Sequence, residues 1–269
     1  MINNEGYSIN IGGRLLSTQR PLVMGILNAT PDSFYAPSRV QGTPDIAERA
    51  VRLKEEGADI IDIGACSTRP GSTPPTEEEE CRRLLVALKA VRQALPDMPL
   101  SIDTYRAEVA KQATDLYGPM IINDISGMKD PKMADLAAKT GLPYVLTSQE
   151  ATIKQMLITA AKDIAMLRAK GQKDIIFDPG IGFGKTNADD WHIMAEMEKL
   201  SVLQLPILIG VSRKSMLQTA IGATADDTLQ ATTALHAAAL IKGAAILRVH
   251  DPKAARQTIT VIKHLECST

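Results

Sequence analysis

Aromatic residues are scarce in this chain of 269 residues, with one Trp, five Tyr and three Phe. With 45% hydrophobic content its core must therefore be aliphatic, which suits buried parallel strands. Cysteine is scarce too. Cys66, Cys81 and Cys267 make an odd count with no C-x-x-C pair, which excludes a disulfide framework and gives no structural zinc motif. An excess of charge of either sign is missing: 30 Lys and Arg against 31 Asp and Glu leave a net charge of -1. There is no basic stripe for a phosphate backbone and no polybasic anchor for anionic lipid, so neither nucleic acid nor a membrane surface is an expected partner. Nor does any stretch approach the ~20 apolar residues of a membrane span. The opening Met1-Ile2-Asn3-Asn4-Glu5 lacks a charged region followed by an apolar one, and a cytoplasmic location is expected.

What is present is a repeat of short apolar runs, at residues 22–27, 59–64, 99–103, 120–124, 143–147, 174–178, 206–211 and 244–249. Between and after them lie helical patterns at 45–56, 76–95, 107–116, 131–139, 153–170, 189–200, 227–242 and 252–265. Start signals agree: Thr43-Pro44-Asp45, Thr76 with Glu79 as a capping box, and Asp130-Pro131. Gly57, Gly118, Gly141, Gly171 and Gly243 follow helices as stop signals. Eight βα units in about 250 residues match a (β/α)8 barrel, whereas a doubly wound sheet has fewer strands and a Gly-rich first turn. The expected architecture is a single α/β domain over 1–269, a TIM barrel with a short N-terminal hairpin at residues 7–17 closing the barrel bottom around Gly12-Gly13.

The longer loops, 28–41, 65–75 and 179–187, all follow strands, where barrel enzymes place their chemistry. Polar residues collect there. Asp103, Asn123 and Asp178 end three runs and, in a closed barrel, converge on one cavity with Lys214. Two carboxylates, an amide and an ammonium can read a flat polar heterocycle edge by edge. Each alone can equally be a strand-end cap or turn former, but four at one rim are hard to explain that way. Ser212-Arg213-Lys214-Ser215 and Arg248-Val249-His250 place cations where barrels hold phosphate, which suits a diphosphate; Arg213 can instead simply pair with a helix carboxylate. Asn28, Thr68 and Arg69 add donors. The segment Asp178-Pro179-Gly180-Ile181-Gly182-Phe183-Gly184-Lys185-Thr186 looks like a nucleotide-binding loop but fits neither type: three residues, not four, separate Gly180 from Gly-Lys-Thr, and it follows the sixth strand rather than the first. Cys66 reads as a bystander, and His192, His236 and His264 as structural or solvated.

Together, Met24-Gly25-Ile26-Leu27-Asn28-Ala29-Thr30-Pro31-Asp32-Ser33-Phe34, Asp62-Ile63-Gly64, Ser67-Thr68-Arg69-Pro70-Gly71, Ser101-Ile102-Asp103-Thr104, Asn123-Asp124-Ile125-Ser126-Gly127, the Asp178 segment, Ser212-Arg213-Lys214 and Arg248-Val249-His250 resemble the dihydropteroate synthases of the pterin-binding family. The resemblance runs from about residue 20 to the C-terminus. It implies a pterin-binding (β/α)8 barrel, a homodimer, that joins a dihydropterin-methyl diphosphate to p-aminobenzoate and releases pyrophosphate with Mg2+ assistance. By position it implies that Asp103, Asn123, Asp178 and Lys214 hold the pterin, with Asp103, Asp178 and Lys214 catalytic. Asn28, Arg248 and His250 would hold diphosphate, Asn28 the metal, and Phe34, Thr68, Arg69, Pro70 and Ser215 would bound the p-aminobenzoate site.

Three places depart from the family's usual pattern. Ala36 stands where an acidic residue usually follows the Phe by two. The stretch after the fifth barrel strand, usually Met-His-Met and then a short Gly-containing segment, reads Thr147-Ser148-Gln149-Glu150 and is several residues shorter. Cys66 replaces the Glu of Gly-Gly-Glu-Ser-Thr-Arg-Pro-Gly. These departures keep a catalytically impaired pterin-binding paralogue open. A methyltetrahydrofolate:corrinoid methyltransferase shares the barrel and its Asp-Asn-Asp set, but the first loop and the Arg-x-His end argue against it.

Overall fold

The computed structural model describes residues 6–29, 42–66 and 74–266. Its first element is the expected hairpin, β1 (Ser8–Ile11) paired antiparallel with β2 (Arg14–Ser17). The register follows from the turn: Gly12 and Gly13 both have positive φ, the conformation a two-residue hairpin turn needs to match strand twist.

Eight parallel strands follow, β3 (Leu22–Asn28), β4 (Ile60–Gly64), β5 (Leu100–Asp103), β6 (Ile121–Asp124), β7 (Tyr144–Thr147), β8 (Ile175–Asp178), β9 (Ile207–Ile209) and β10 (Ala244–Val249). They close into a barrel in the order β10-β3-β4-β5-β6-β7-β8-β9. Nearly every strand residue is buried, because one side packs on helices and the other fills the barrel, and this is why the runs read as continuous rather than alternating. Ile61, Ile63, Ile102, Ile122, Leu146 and Phe177 face the surrounding helices within one large aliphatic cluster. Met24, Ile60, Ile121, Val145, Ile176, Leu208 and Ile246 point inward and form a second cluster with Ile9 and Ile11 of the hairpin. The hairpin thus closes the barrel bottom with two isoleucines.

The outer ring comprises α1 (Gly42–Glu55), α2 (Glu77–Ala94), α3 (Ala107–Tyr117), α4 (Pro131–Thr140), α5 (Ile153–Ala169), α6 (Asn187–Glu196), α7 (Ser215–Ile221), α8 (Leu229–Ile241) and α9 (Pro252–Glu266). Side chains cap several of them: Asp130 accepts from the Lys132 N–H as the sequence suggests, Thr76 accepts from the Glu79 N–H as one half of the expected capping box while the Glu79 carboxylate pairs with Arg82 and Arg83 instead, and Thr152 accepts from Gln155. Three expected helices differ in detail. The one expected at 45–56 spans Gly42–Glu55, so the Thr43-Pro44-Asp45 signal lies within its first turn. The one expected at 189–200 begins at Asn187, because Thr186 and Asp189 make a reciprocal capping box, and its last part tightens into a 3-10 turn, Met197–Leu203. The one expected at 227–242 is a 3-10 turn, Asp226–Thr228, leading into α8. The short α7 was not anticipated; it starts directly after Lys214 and stops at Gly222, which is left-handed.

Candidate active site

Side chains alternate along each strand, so the residue two places beyond an inward-facing aliphatic also faces inward. Ile60 is followed in this way by Asp62, Ile121 by Asn123, Ile176 by Asp178 and Ile246 by Arg248; Ser101 is followed by Asp103 and Val145 by Thr147. The strand register brings these residues level: Asp103 lies opposite Asn123, and Thr147 opposite Asp178. One polar layer therefore caps the aliphatic one, at the C-terminal mouth of the barrel.

At its centre is a buried charge cluster. The Arg248 guanidinium donates from Nε to Asp62 Oδ2 at 2.7 Å and from Nη2 to Asp103 Oδ2 at 2.6 Å. Asn123 Nδ2 donates to the same Asp62 oxygen at 3.1 Å. Asp62 is wholly buried, and without this fork its charge would be very costly. The two acids hold Arg248 protonated, its pKa pushed above the ordinary value by Asp62 and Asp103 despite burial. Burial pushes the Asp103 carboxyl up to about 7 against the pull of Arg248, with Asp62 and Glu80 adding to the rise. Oδ1 of Asp62, Oδ1 of Asn123, Oγ of Ser101 and Oγ1 of Thr147 are buried without a partner among the described residues. Buried polar atoms are nearly always paired, so this layer is built to take a hydrogen-bonding guest.

Asp178 and Lys214 form the other wall. Asp178 Oδ1 accepts from the Gly180 N–H at 2.7 Å, leaving most of the carboxylate's acceptor capacity free. Burial raises its pKa, opposed by that hydrogen bond and by Lys214, Arg248 and Lys185. The Lys214 ammonium sits 4.1 Å from the centre of the Phe183 ring, and burial, helped by Arg248, lowers its pKa to about 8. Arg213 takes a left-handed φ of 59°, and its own side chain turns away to Asp226 and Asp251 at 3.0 and 3.1 Å. For Arg213 the plain reading, pairing with carboxylates, is the correct one.

At the rim, His250 Nδ1 lies 3.0 Å from Ser212 Oγ, and its carbonyl accepts from Arg49. Burial and the nearby Arg213 and Arg248 lower its pKa to about 4, so the ring is neutral near pH 7. Asn28 ends β3 exposed at the same mouth. Ser215 opens α7, with Oγ 3.0 Å from Asn187 Oδ1. Burial raises the Cys66 pKa, with Glu80 and Asp103 adding to it, which disfavours the thiolate.

The model of the family described as pterin binding enzyme matches residues 24–250. The chain belongs to the pterin-binding enzyme family. Within it, the dihydropteroate synthase of Clostridium beijerinckii is 38% identical over 259 residues, which cover 91% of this chain and 96% of that protein. The Escherichia coli dihydropteroate synthase is 33% identical over 266 residues, covering 93% and 94%. A solved structure of the Xanthomonas albilineans dihydropteroate synthase with 4-aminobenzoic acid superposes with a TM-score of 0.90 at 32% identity, covering 97% of this chain and 98% of that one. The same enzyme in complex with 7,8-dihydropteroate gives a TM-score of 0.87 at 31% identity, covering 97% and 99%.

The pterin-binding barrel thus brings Asp103, Asn123, Asp178, Lys214 and Arg248 together, with His250, Asn28 and Ser215 around its mouth. Phe34, Ala36, Thr68, Arg69 and Pro70 lie outside the described residues. Asp62 lies inside its apolar run rather than at its end, so the pattern of polar run ends does not pick it out. Its signal was present: an acid inside the run Ile60-Ile61-Asp62-Ile63 must be buried, and a buried acid needs a partner. Lys185 belongs to a segment whose spacing fits no nucleotide-binding loop, and spacing gives it no other role.

Proposed function

We propose that this pterin-binding enzyme is a dihydropteroate synthase. It condenses (7,8-dihydropterin-6-yl)methyl diphosphate with p-aminobenzoate to 7,8-dihydropteroate and pyrophosphate. The observation that carries this reading is the polar layer itself: acids, amide and ammonium converge, partly unpaired, on one mouth of the barrel with cations beside it. Asp178 has the acceptors for the N–H groups of a 2-amino-pyrimidinone edge, Asn123 offers its unpaired oxygen and remaining N–H, and Lys214 donates from the Phe183 face.

The chemistry follows from these charges. As the C–O bond breaks, its electron pair leaves with the diphosphate and the pterin methylene becomes a delocalised cation. Asp103 and Asp178, buried close by, stabilise positive charge that exists only then. Arg248 and the neutral His250 would bind the departing diphosphate. The amine lone pair then forms the C–N bond and a proton is lost; an aromatic amine is already neutral at pH 7, so no general base is required. Phe34, Thr68, Arg69, Pro70 and Ser215 are the residues we assign to the p-aminobenzoate side.

Mg2+ fits the donor set. Asn28 offers one hard amide oxygen, and no group of three His, Cys, Asp or Glu occurs among the described residues. An ion at Asn28 would take its other ligands from diphosphate oxygens and water, the pattern Mg2+ favours. When bound, it supplies positive charge to the leaving group.

Two coarser features complete the reading. No helix among the described residues is long and apolar enough to cross a membrane; the cytoplasmic location belongs to the same proposal. A second copy of the chain fits the face formed by α8 and α9, where Leu229, Ile241, Val261 and Leu265 are exposed and α8 is apolar nearly all round. Two measurements test the activity and the dimer. The purified protein with Mg2+ is expected to release pyrophosphate only when both substrates are present, and to sediment as a dimer. Pterin binding without pyrophosphate release would instead support the impaired paralogue, and a monomeric mass would contradict the dimer.

A further inference from the structure

The segment from Asp178 to Thr186 resembles a phosphate-binding loop but ends differently. In a P-loop the lysine reaches outward to phosphate. Here Lys185 turns inward: Nζ donates to the carbonyls of Ser148 at 2.9 Å and Gly180 at 2.8 Å, with Phe183 O at 3.5 Å. Ser148 belongs to the stretch after β7, so the ammonium ties two neighbouring strand-end loops together. The backbone there is equally tight. Gly180 has φ +71°, and a Cβ at that position would lie 2.1 Å from Ser148 O. Gly182, with φ +76°, lies under Lys214, and its N–H donates to Asp190 Oδ1 at 2.9 Å.

We propose that Lys185 is a positioning residue for the heterocycle pocket, clamping the loop after β8 onto the end of β7 so that Asp178 and Phe183 stand where the pterin needs them. The inference rests on the pterin reading above. Each part of the clamp bears on a pocket group: Gly180 donates to Asp178 Oδ1, and Phe183 packs under the Lys214 ammonium. No carboxylate lies within ion-pair distance of the Lys185 ammonium among the described residues. Its charge acts at longer range, on Asp178 from β8, Asp189 and Asp190 from α6, and Glu150 from the loop after β7. Asp178 is faced in addition by Lys214 and Arg248. The charge of Lys185 favours ionised Asp178, so without it Asp178 protonates at higher pH.

The test is calorimetric binding of pterin-6-carboxylate to full-length wild type, K185M and K185R between pH 5 and 8, with thermal melting of each. The expected result is a dissociation constant at least about tenfold weaker in K185M, given the loss of hydrogen bonds from a charged donor. Affinity in K185M should also fail at a higher pH on acidification, and K185R, which keeps the charge, should fail at the wild-type pH. Binding by K185M within twofold of wild type, with an unchanged pH dependence, would overturn the proposal. So would a loss equal at every pH in both variants, which is what a purely structural role gives. Should K185M not fold, K185R decides: a shifted pH dependence in that variant overturns the role. Wild type that binds no pterin would sink the functional reading and this role with it, whereas wild-type binding with indifferent variants sinks only the role of Lys185.

Discussion

The barrel interior has two halves that differ by one step along each strand. Below, Ile60, Ile121, Ile176 and Ile246 meet the hairpin isoleucines in a dry layer; two residues further on, Asp62, Asn123, Asp178 and Arg248 occupy the same inward row. The backbone scaffold is shared. The lower layer gains free energy from removing apolar surface from water, and any aliphatic residue of the right volume serves there. The upper layer contributes little by burial, since its charges lose hydration and recover it only through mutual pairing. Its arrangement is explained by what it can bind, and the lower layer by what it holds together.

The largest break in that contrast should come from removing the shared cation. Arg248→Ala removes the shared cation from Asp62 and Asp103 and leaves Asp62 with the Asn123 amide alone, and a loss of about 3–5 kcal/mol in unfolding free energy is expected. Urea denaturation measures it, and a variant as stable as wild type would show that the cluster is not coupled as described. Pterin affinity should fall as well, because Asp103 then favours its protonated form: the guanidinium is what opposes burial there.

A smaller and more specific effect concerns pH. Asp103, raised to about 7, gains its charge as pH rises through that value, and Lys214, lowered to about 8, loses its charge as pH rises further. With both charges required, kcat/KM for the pterin substrate should rise towards neutrality and fall above about pH 8. The steady-state pH profile of Lys214→Arg is the check. Arginine stays protonated, so the alkaline limb should flatten even though the rate drops. An alkaline limb unchanged in that variant would assign it to another group.

The lower layer was the more legible half. Aliphatic runs with short gaps and helix caps at Thr76 and Asp130 encode the barrel locally, and Gly12-Gly13 encodes the hairpin that plugs it. The polar ends of the runs were legible too, because Asp103, Asn123 and Asp178 sit where an apolar stretch stops. Asp62 was harder to see: Ile63 and Gly64 follow it, so its run ends two residues later, and its partner Arg248 lies 186 positions away. Lys185 was hidden for another reason. Its direction depends on glycines at positive φ that fold the loop back onto Ser148, and spacing alone does not reveal such a reversal. The helix α7 is a single short element whose limits, Lys214 and Gly222, become evident only once the Lys214 side chain is committed to the pocket.

The division between the layers is tested most directly by two substitutions on one strand, Ile176→Ala and Asp178→Asn, compared for pterin-6-carboxylate binding and urea unfolding. Ile176→Ala should lose about 2–5 kcal/mol of stability and keep its affinity while folded. Asp178→Asn should stay close to wild-type stability and lose affinity by at least about 2 kcal/mol, roughly thirtyfold, because its one oxygen already accepts from the Gly180 N–H and its NH2 group would set a donor against the N–H groups of the pterin. Unchanged pterin binding by Asp178→Asn, or equal loss of affinity in both variants, would contradict the account.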